Sequence, residues 1–206
     1  MARKHEMPEV NAGSMADIAF LLLIFFLVTA TIQTDVGLDR KLPPKDTTPP
    51  LPIHERNLFR ISLNKNNELM VEDNVMEIQD LKSAAIAFLD NGGAVVGDKN
   101  YCNYCLGNRD TNGSDNPNKA IISFNSDRAA AYGAYVLVQN ELTAAYNELR
   151  DRESRRLYAT EFLEMERTYF DPKTASETKL ELRAKISRIR NMYPMKLSEA
   201  QTNMKL

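Results

Sequence analysis

The strongest pattern in the chain is a long run of apolar and small residues near its beginning. Between residues 12 and 32 almost every side chain is apolar or small, and the one charged exception is Asp17. A helix over this run is roughly 30 Å long at about 1.5 Å per residue, which matches the hydrocarbon core of a bilayer. We therefore predict a transmembrane helix over residues 12–32, preceded by a tail of residues 1–11.

A cleaved signal peptide is the main alternative for this run. Arg3 and Lys4 supply the charged start that such a peptide needs, and Ala30 is a small residue of the kind found at cleavage sites. However, Glu6 and Glu9 make the leader acidic, and the apolar run is longer than a signal peptide requires. The pattern therefore favours an uncleaved membrane anchor.

A polar stretch rich in proline follows the apolar run. Residues 33–57 show no apolar periodicity and contain the pairs Pro43-Pro44 and Pro49-Pro50. Proline stiffens an extended chain. We predict an extended linker over this stretch, which is either a semi-rigid tether that transmits strain or a plain spacer.

After the linker, the hydrophobic pattern changes to that of strands and helices. Apolar and polar residues alternate from Leu58 to Asn64, and an apolar segment returns at 69–71, which predicts a β-hairpin. Helical spacing from Glu77 to Asn91 predicts a helix. The pattern then predicts a short strand at 94–97, a polar loop over 98–118, a strand at 120–124 and a long helix from about residue 129. These elements together predict a small α+β soluble domain over residues 58–150.

Two apolar stripes mark the helices in the last third of the chain. The first lies on the long helix and consists of Tyr135, Val138, Leu142, Ala145 and Leu149, which is typical of a packing face. The second lies in residues 151–206, predicted as a helical C-terminal extension, and consists of Leu182, Ile186, Ile189 and Tyr193. We expect the second stripe to dock on the domain, although a partner or a second copy of the chain would also bury it.

The charge of the chain is nearly balanced. Its 206 residues carry a formal net charge of -2, and no basic patch or stripe is evident. Because proteins that bind nucleic acid usually show such a patch, we expect no nucleic-acid partner.

The only two cysteines, Cys102 and Cys105, lie in the polar loop. A redox-active Cys-x-x-Cys normally begins a helix, which lowers the thiol pKa, whereas turn-forming residues follow here. A zinc site needs two further ligands, and the only histidines, His5 and His54, are remote in the sequence. We predict a local structural disulfide, with catalytic thiol chemistry as the alternative.

Asp17 is the residue whose position most needs an explanation. A charged Asp at the centre of a membrane helix costs about 2.5–3.5 kcal/mol, and less near the interface. Since a low-dielectric site disfavours the charged carboxylate, Asp17 can load a proton from one side and release it to the other. Ser14 lies one turn before it and Thr31 lies close to the same face, so both could support a proton or water path. The alternative is an interfacial Asp that only caps the helix or reaches the headgroups.

The stretch from Glu9 to Pro43 resembles the ExbD/TolR family of biopolymer-transport proteins. The resemblance rests on Asn11, Asp17-Ile18, the run Phe20–Thr29 and Leu42-Pro43. The soluble part is similar in its order of elements, with the hairpin over 57–71, then Ile121–Phe124, Asp127-Arg128 and Tyr132. The similarity covers residues 9–150. The loop with the two cysteines is an insertion relative to the family, and the tail beyond Leu149 is longer than the family domain needs.

The resemblance implies a proton-driven motor subunit, with Asp17 in the place of the family's essential Asp. It implies a single-pass inner-membrane protein with a cytoplasmic N-terminus and a periplasmic domain. Its partners would be a ring of ExbB/TolQ-like subunits, a TonB-like coupling protein and a second copy of the chain. Its function would be energised transport across the outer membrane. A TolR-like subunit that serves envelope integrity or binds peptidoglycan is the closest alternative, and a membrane-tethered thiol oxidoreductase is a different one. We expect no cofactor, no metal and no covalent catalysis.

Overall fold

The computed structural model describes residues 12–29 and 54–200 of the chain. The chain divides into two units, residues 1–40 and residues 41–206. In the first unit, helix α1 spans Ala12–Thr29, which is most of the predicted transmembrane segment. The predicted tail, most of the predicted linker and the last six residues lie outside the described residues.

The second unit is built on one mixed sheet. Its strands are β1 (Leu58–Leu63), β2 (Leu69–Val71), β3 (Asn74–Met76), β4 (Ile121–Ser126) and β5 (Leu197–Ala200), in the spatial order β3-β2-β1-β4-β5. The neighbours β1, β2 and β3 are antiparallel, whereas β4 pairs in parallel with both β1 and β5. Glu72 and Asp73 form the turn from β2 to β3, and both have a positive φ, as two-residue hairpin turns of matching twist require.

Helices α2 (Leu81–Leu89) and α3 (Tyr132–Tyr158) pack against the sheet and complete its core. Phe59, Ile61 and Leu63 alternate along β1 and are all buried, whereas Arg60 between them is exposed. Fully buried residues from the other elements join them: Leu81 and Leu89 of α2, Ile122 and Phe124 of β4, and Val138, Leu142, Ala145 and Leu149 of α3. The predicted hairpin, the helix after it and the first apolar stripe are therefore confirmed.

The C-terminal part of the chain packs on the domain. Helices α4 (Phe162–Phe170) and α5 (Ser176–Met192) form a hairpin whose own small core contains Phe162, Met165, Ile186 and Ile189. Beyond α5, Tyr193 is fully buried in the main core, and β5 then extends the sheet beside β4. This confirms a small α+β domain with C-terminal helices, and it places the second stripe within the same chain.

Two features of the domain differ from the sequence-based expectation. Residues 94–97 form no strand, because the backbone NH of Ala94 donates to Asp115 O and Gly97 turns the chain at a φ of 94°. The expected end of the domain at residue 150 falls within α3, which continues to Tyr158. In addition, both apolar stripes are largely covered within one chain, so they provide no broad apolar surface for pairing two soluble domains.

Candidate functional site

Helix α1 carries a single ionisable side chain. Its 18 residues, AGSMADIAFLLLIFFLVT, contain Asp17 and no other acidic or basic residue. Asp17 is exposed in this unit, and so are the large apolar side chains that surround it along the helix: Met15, Ile18, Phe20, Leu21, Leu22, Leu23, Ile24, Phe25, Phe26, Leu27 and Val28. A carboxylate is thus set on a helix that exposes apolar side chains in all directions, which is typical of a segment buried against lipid or other protein.

The two hydroxyl residues proposed to assist Asp17 are described to different extents. The backbone of Ser14 lies in α1, one helical turn before Asp17. Thr31 lies outside the described residues. A third hydroxyl, that of Thr29, donates a 2.7 Å hydrogen bond to Phe25 O of its own helix. This local bond is the usual arrangement for a threonine on an apolar helix, because its hydroxyl then needs no outside partner.

The length of α1 matters for its relation to a membrane. Over residues 12–29 the helix is about 27 Å long at about 1.5 Å per residue. Within the ranges 12–29 and 54–200, no helix is both long enough and apolar enough to count as a membrane span.

Cys102 and Cys105 are joined by a disulfide in the segment from residue 91 to residue 118, here called the insertion, which connects α2 to β4. Both cysteines are almost completely buried, and no helix begins at either one. Arg109 stabilises this turn from the side: its Nη2 donates to Cys102 O at 3.2 Å and to Cys105 O at 3.1 Å. The disulfide therefore sits in an ordered turn and lacks the helix N-terminus that activates redox cysteines.

An ionic network around two buried carboxylates lies at the base of the insertion and could not be read from the sequence. Arg152 of α3 donates two hydrogen bonds to Asp90, from Nη1 at 2.6 Å and from Nη2 at 2.8 Å. The hydroxyl of Tyr193 donates to the same carboxylate at 2.6 Å. Glu153 is also buried and accepts from Arg152 Nε at 3.2 Å and from Arg156 Nε at 2.7 Å. The partners lie up to 103 residues apart, so no local spacing signals them.

The network has clear electrostatic consequences. The hydrogen bond to Asp90 is the main cause that raises the pKa of Arg152, so the guanidinium stays charged. Burial, and then the hydrogen bond to Asp90, raise the pKa of Tyr193 far above its ordinary value. Tyr193 is therefore a neutral donor at every physiological pH. Buried charges of this kind are stable only when paired, and here the carboxylates are paired with two arginines.

The fold and α1 together define a class of protein: a small α+β domain joined to an apolar helix with one carboxylate. The family model described as biopolymer transport protein ExbD/TolR matches residues 3–150, well over half of the chain. The chain therefore belongs to the ExbD/TolR family, which confirms the resemblance seen in the sequence. The search of curated proteins gave no significant match. The family match covers α1, strands β1 to β4, α2 and the insertion, and it ends inside α3, before α4, α5 and β5.

Proposed function

We propose that the chain is the proton-carrying subunit of an inner-membrane motor, and that Asp17 loads and releases the proton. The observation that carries this proposal is Asp17, the only ionisable side chain on the apolar helix α1. Residues 12–32 anchor the chain in the membrane, with the N-terminus in the cytoplasm and the α+β domain in the periplasm. The chain itself performs no covalent catalysis; it converts proton movement into motion.

The insertion cost of Asp17 favours a partner. A charged Asp facing lipid costs about 2.5–3.5 kcal/mol at the centre of a bilayer and less towards the interface, and Asp17 is the sixth of the 18 residues of α1, so its cost lies below that range. Inside a ring of other membrane subunits, the same face of α1 meets protein and water, so the proton can exchange without that penalty. Family membership supports an ExbB/TolQ-like ring around α1 and a TonB-like protein that receives the motion.

Two copies of α1 in one ring remain our expectation for the working complex. The apolar stripes of α3 and α5 do not support this pairing, because they are buried within one chain. The proposal of a homodimer therefore rests on the family and on the membrane segment.

The thiol oxidoreductase alternative receives little support from the insertion. The two sulfur atoms lie in nearly buried cysteines, and Arg109 fixes the carbonyl groups of both residues. A catalytic disulfide must exchange with an outside thiol, which requires access to one sulfur atom. These observations favour a structural disulfide.

The Asp17→Asn variant tests the proton-carrying role. The amide keeps the size of the side chain and most of its hydrogen bonding, but it cannot exchange a proton near neutral pH. We expect energised transport to be lost in cells that express only this variant, while the amount of protein in the membrane is unchanged. The Asp17→Glu variant, which keeps a carboxylate, is the matched control and should retain part of the activity. Full transport by Asp17→Asn would exclude the proton-carrying role.

Purification with its partners distinguishes an ExbD-like from a TolR-like subunit. The full chain is extracted from membranes with a mild detergent, and the proteins that come with it are identified. A TonB-like coupling protein in the complex would support energised transport across the outer membrane. A Tol-type ring together with binding to isolated peptidoglycan would instead assign the chain to envelope integrity.

A further inference from the structure

The insertion contacts the end of α5 and the segment that leads into β5. The hydroxyl of Tyr104 donates to Met192 O at 2.8 Å. Its ring packs edge-to-face on Tyr193, with the ring centroids 5.5 Å apart. At the other end of the insertion, Lys196 Nζ donates to Asn118 O at 2.5 Å. The insertion therefore contacts the chain at the end of α5 and again at Lys196, directly before β5.

The two cysteines of the disulfide flank Tyr104 and hold it in place. It stands between Cys102 and Cys105, so the bond between their sulfur atoms closes the turn that carries it. Within the turn, the backbone NH of Cys105 lies 3.1 Å from Cys102 Sγ, and Arg109 holds the carbonyl groups of both cysteines. Burial raises the pKa of Tyr104 to about 12, so its hydroxyl remains a donor.

The base of the same turn is fixed to α2 and α3 through Asp90. The backbone NH groups of Leu106 and Gly107 donate to the side chain and to the carbonyl of Asp90, at 3.2 and 3.0 Å. Asp90 in turn accepts from Arg152 and Tyr193. The turn is thus a rigid bridge between the core of the domain and the C-terminal segment.

Strand β5 depends on this segment for its position. It is only four residues long and pairs with β4 at the edge of the sheet. Two of its side chains attach it to the domain: Leu197 packs against the main core, and Glu199 accepts from Tyr135 at 2.8 Å and from Gln139 at 2.9 Å. Such a short edge strand gains little from pairing alone, so it also depends on the contacts that fix Tyr193 and Lys196.

We propose that the disulfide-closed turn is a latch that holds the C-terminal segment, residues 193–200, and keeps β5 on the edge of β4. With the turn closed, the contacts of Tyr104 with Met192 and Tyr193 add to the hydrogen bonds between Arg150 and the carbonyl of Tyr193, and the β4 edge is occupied by the chain's own strand. With the turn open, Tyr104 loses its fixed position, β5 separates more often, and the backbone edge of β4 becomes exposed.

The latch opens by reduction of its disulfide. A dithiol reductant supplies two electrons and two protons, the bond between the sulfur atoms breaks, Cys102 and Cys105 become thiols, and the reductant becomes a disulfide. Both cysteines are nearly buried, so the reductant reaches them only when the insertion opens locally. The latch is therefore stable under oxidising conditions and opens slowly when a dithiol is present.

Hydrogen exchange of the full chain in detergent, read by mass spectrometry, tests the latch. The variants are Cys102→Ser with Cys105→Ser, and Tyr104→Ala. Leu106→Ala is the matched control, because this side chain belongs to the same insertion but is 73% exposed. We expect exchange in residues 193–200 to become at least about tenfold faster in both latch variants and to stay unchanged in the control. Exchange in β1 should not change, which shows that the domain is still folded.

Trypsin gives a second readout that does not depend on a substitution. Cleavage after Lys196 requires β5 to leave the sheet, since Lys196 O accepts from the backbone NH of Ile122. Treatment of the full chain with dithiothreitol should increase this cleavage several-fold, and the Cys102→Ser, Cys105→Ser variant should show the faster rate without reductant. Unchanged exchange and unchanged cleavage, in the Tyr104→Ala variant and after complete reduction, would overturn the latch.

Discussion

Tyr146 lies at the centre of the domain and links α3 to the segment before β5. It is 1% exposed, its hydroxyl accepts a hydrogen bond from the backbone NH of Lys196 at 3.4 Å, and Arg150 lies over its ring at 5.6 Å. Burial is the largest cause that raises the pKa of Tyr146 to about 12, against an ordinary value of 10.0. The folded domain therefore keeps this hydroxyl neutral at a pH where the unfolded chain already ionises it.

This difference predicts a loss of stability at alkaline pH. Between pH 10 and about pH 12 the unfolded chain binds fewer protons than the folded one, so the free energy of unfolding falls as the pH rises. The loss from Tyr146 is on the order of 3 kcal/mol, for a shift from 10.0 to about 12 at about 1.4 kcal/mol per unit of pKa. Urea unfolding at a series of pH values measures it. The raised pKa values of Tyr104 and Tyr193 contribute to the same loss, so we expect Tyr146→Phe to reduce the slope without abolishing it. Tyr132→Phe, at an exposed position, should leave the slope unchanged, and equal slopes in all three proteins would contradict this.

At the scale of elements, the insertion meets the end of α2 at Gly92. This glycine has a φ of 64°, and a Cβ on it would lie 2.8 Å from Cys105 Cβ. The chain therefore needs a residue without a side chain where the disulfide turn passes over the helix end. Gly97 has a φ of 94° but no neighbouring atom within 4 Å, so it shares the backbone requirement without the close contact.

The comparison of these two glycines predicts different losses of stability. Gly97→Ala should cost about 1–2 kcal/mol from the left-handed backbone alone. Gly92→Ala should cost at least about 1 kcal/mol more, because it must also displace the disulfide turn. Thermal unfolding of the two variants measures the difference. If Gly92→Ala is no less stable than Gly97→Ala, the close packing of the insertion on α2 is incorrect.

Sequence patterns predicted the elements that have strong local signals. The apolar residues of β1 recur every two residues and those of the α3 stripe every three to four residues. The apolar residues of β1, and Val138, Leu142, Ala145 and Leu149 of α3, are buried as expected. Strands β3 and β5 have three and four residues, and unlike the equally short β2, which has buried Leu69 and Val71 at its ends, β3 has no buried residue to mark it. Residues 94–97 gave a false strand because Val95 and Val96 are apolar, yet in the fold they are exposed.

The sequence alone singled out Asp17 as the candidate, because a charge inside an apolar run is visible without a structure; its role as proton carrier stays a prediction. It could not identify the network of Asp90, Arg152 and Tyr193. Each member is an ordinary charged or aromatic residue in its own segment, and only the fold brings the three together. The same is true of the contact between Tyr104 and Met192, which joins the insertion to the C-terminal part.

At the scale of the whole molecule, the C-terminal part is an integral part of the domain. The family match ends at residue 150, but Tyr193 fills the main core and β5 forms an edge of the sheet. Removal of residues 151–206 would therefore leave a cavity where Tyr193 packs and would leave Asp90 without Arg152 and Tyr193. Both changes belong to the most destabilising kinds.

Two truncations of the full chain test this. A chain that ends after Arg150 should fail to form a cooperatively unfolding domain, whereas a chain that ends after Ala200 should unfold at nearly the wild-type temperature. Thermal unfolding and resistance to protease, measured for both in the same detergent, give the answer. A chain ending at Arg150 with wild-type stability would show that α4, α5 and β5 do not contribute to the stability of the domain.

In the proposed motor, Asp17 carries protons through the membrane complex. The most direct measurement is the decay of a pH gradient across liposomes that contain the full chain purified with its ring partner. We predict faster decay with the wild-type complex than in protein-free liposomes, partial retention with Asp17→Glu, and a return to the protein-free rate with Asp17→Asn. Decay with Asp17→Asn that equals the wild-type rate, in complexes of unchanged composition, would exclude Asp17 as the proton carrier.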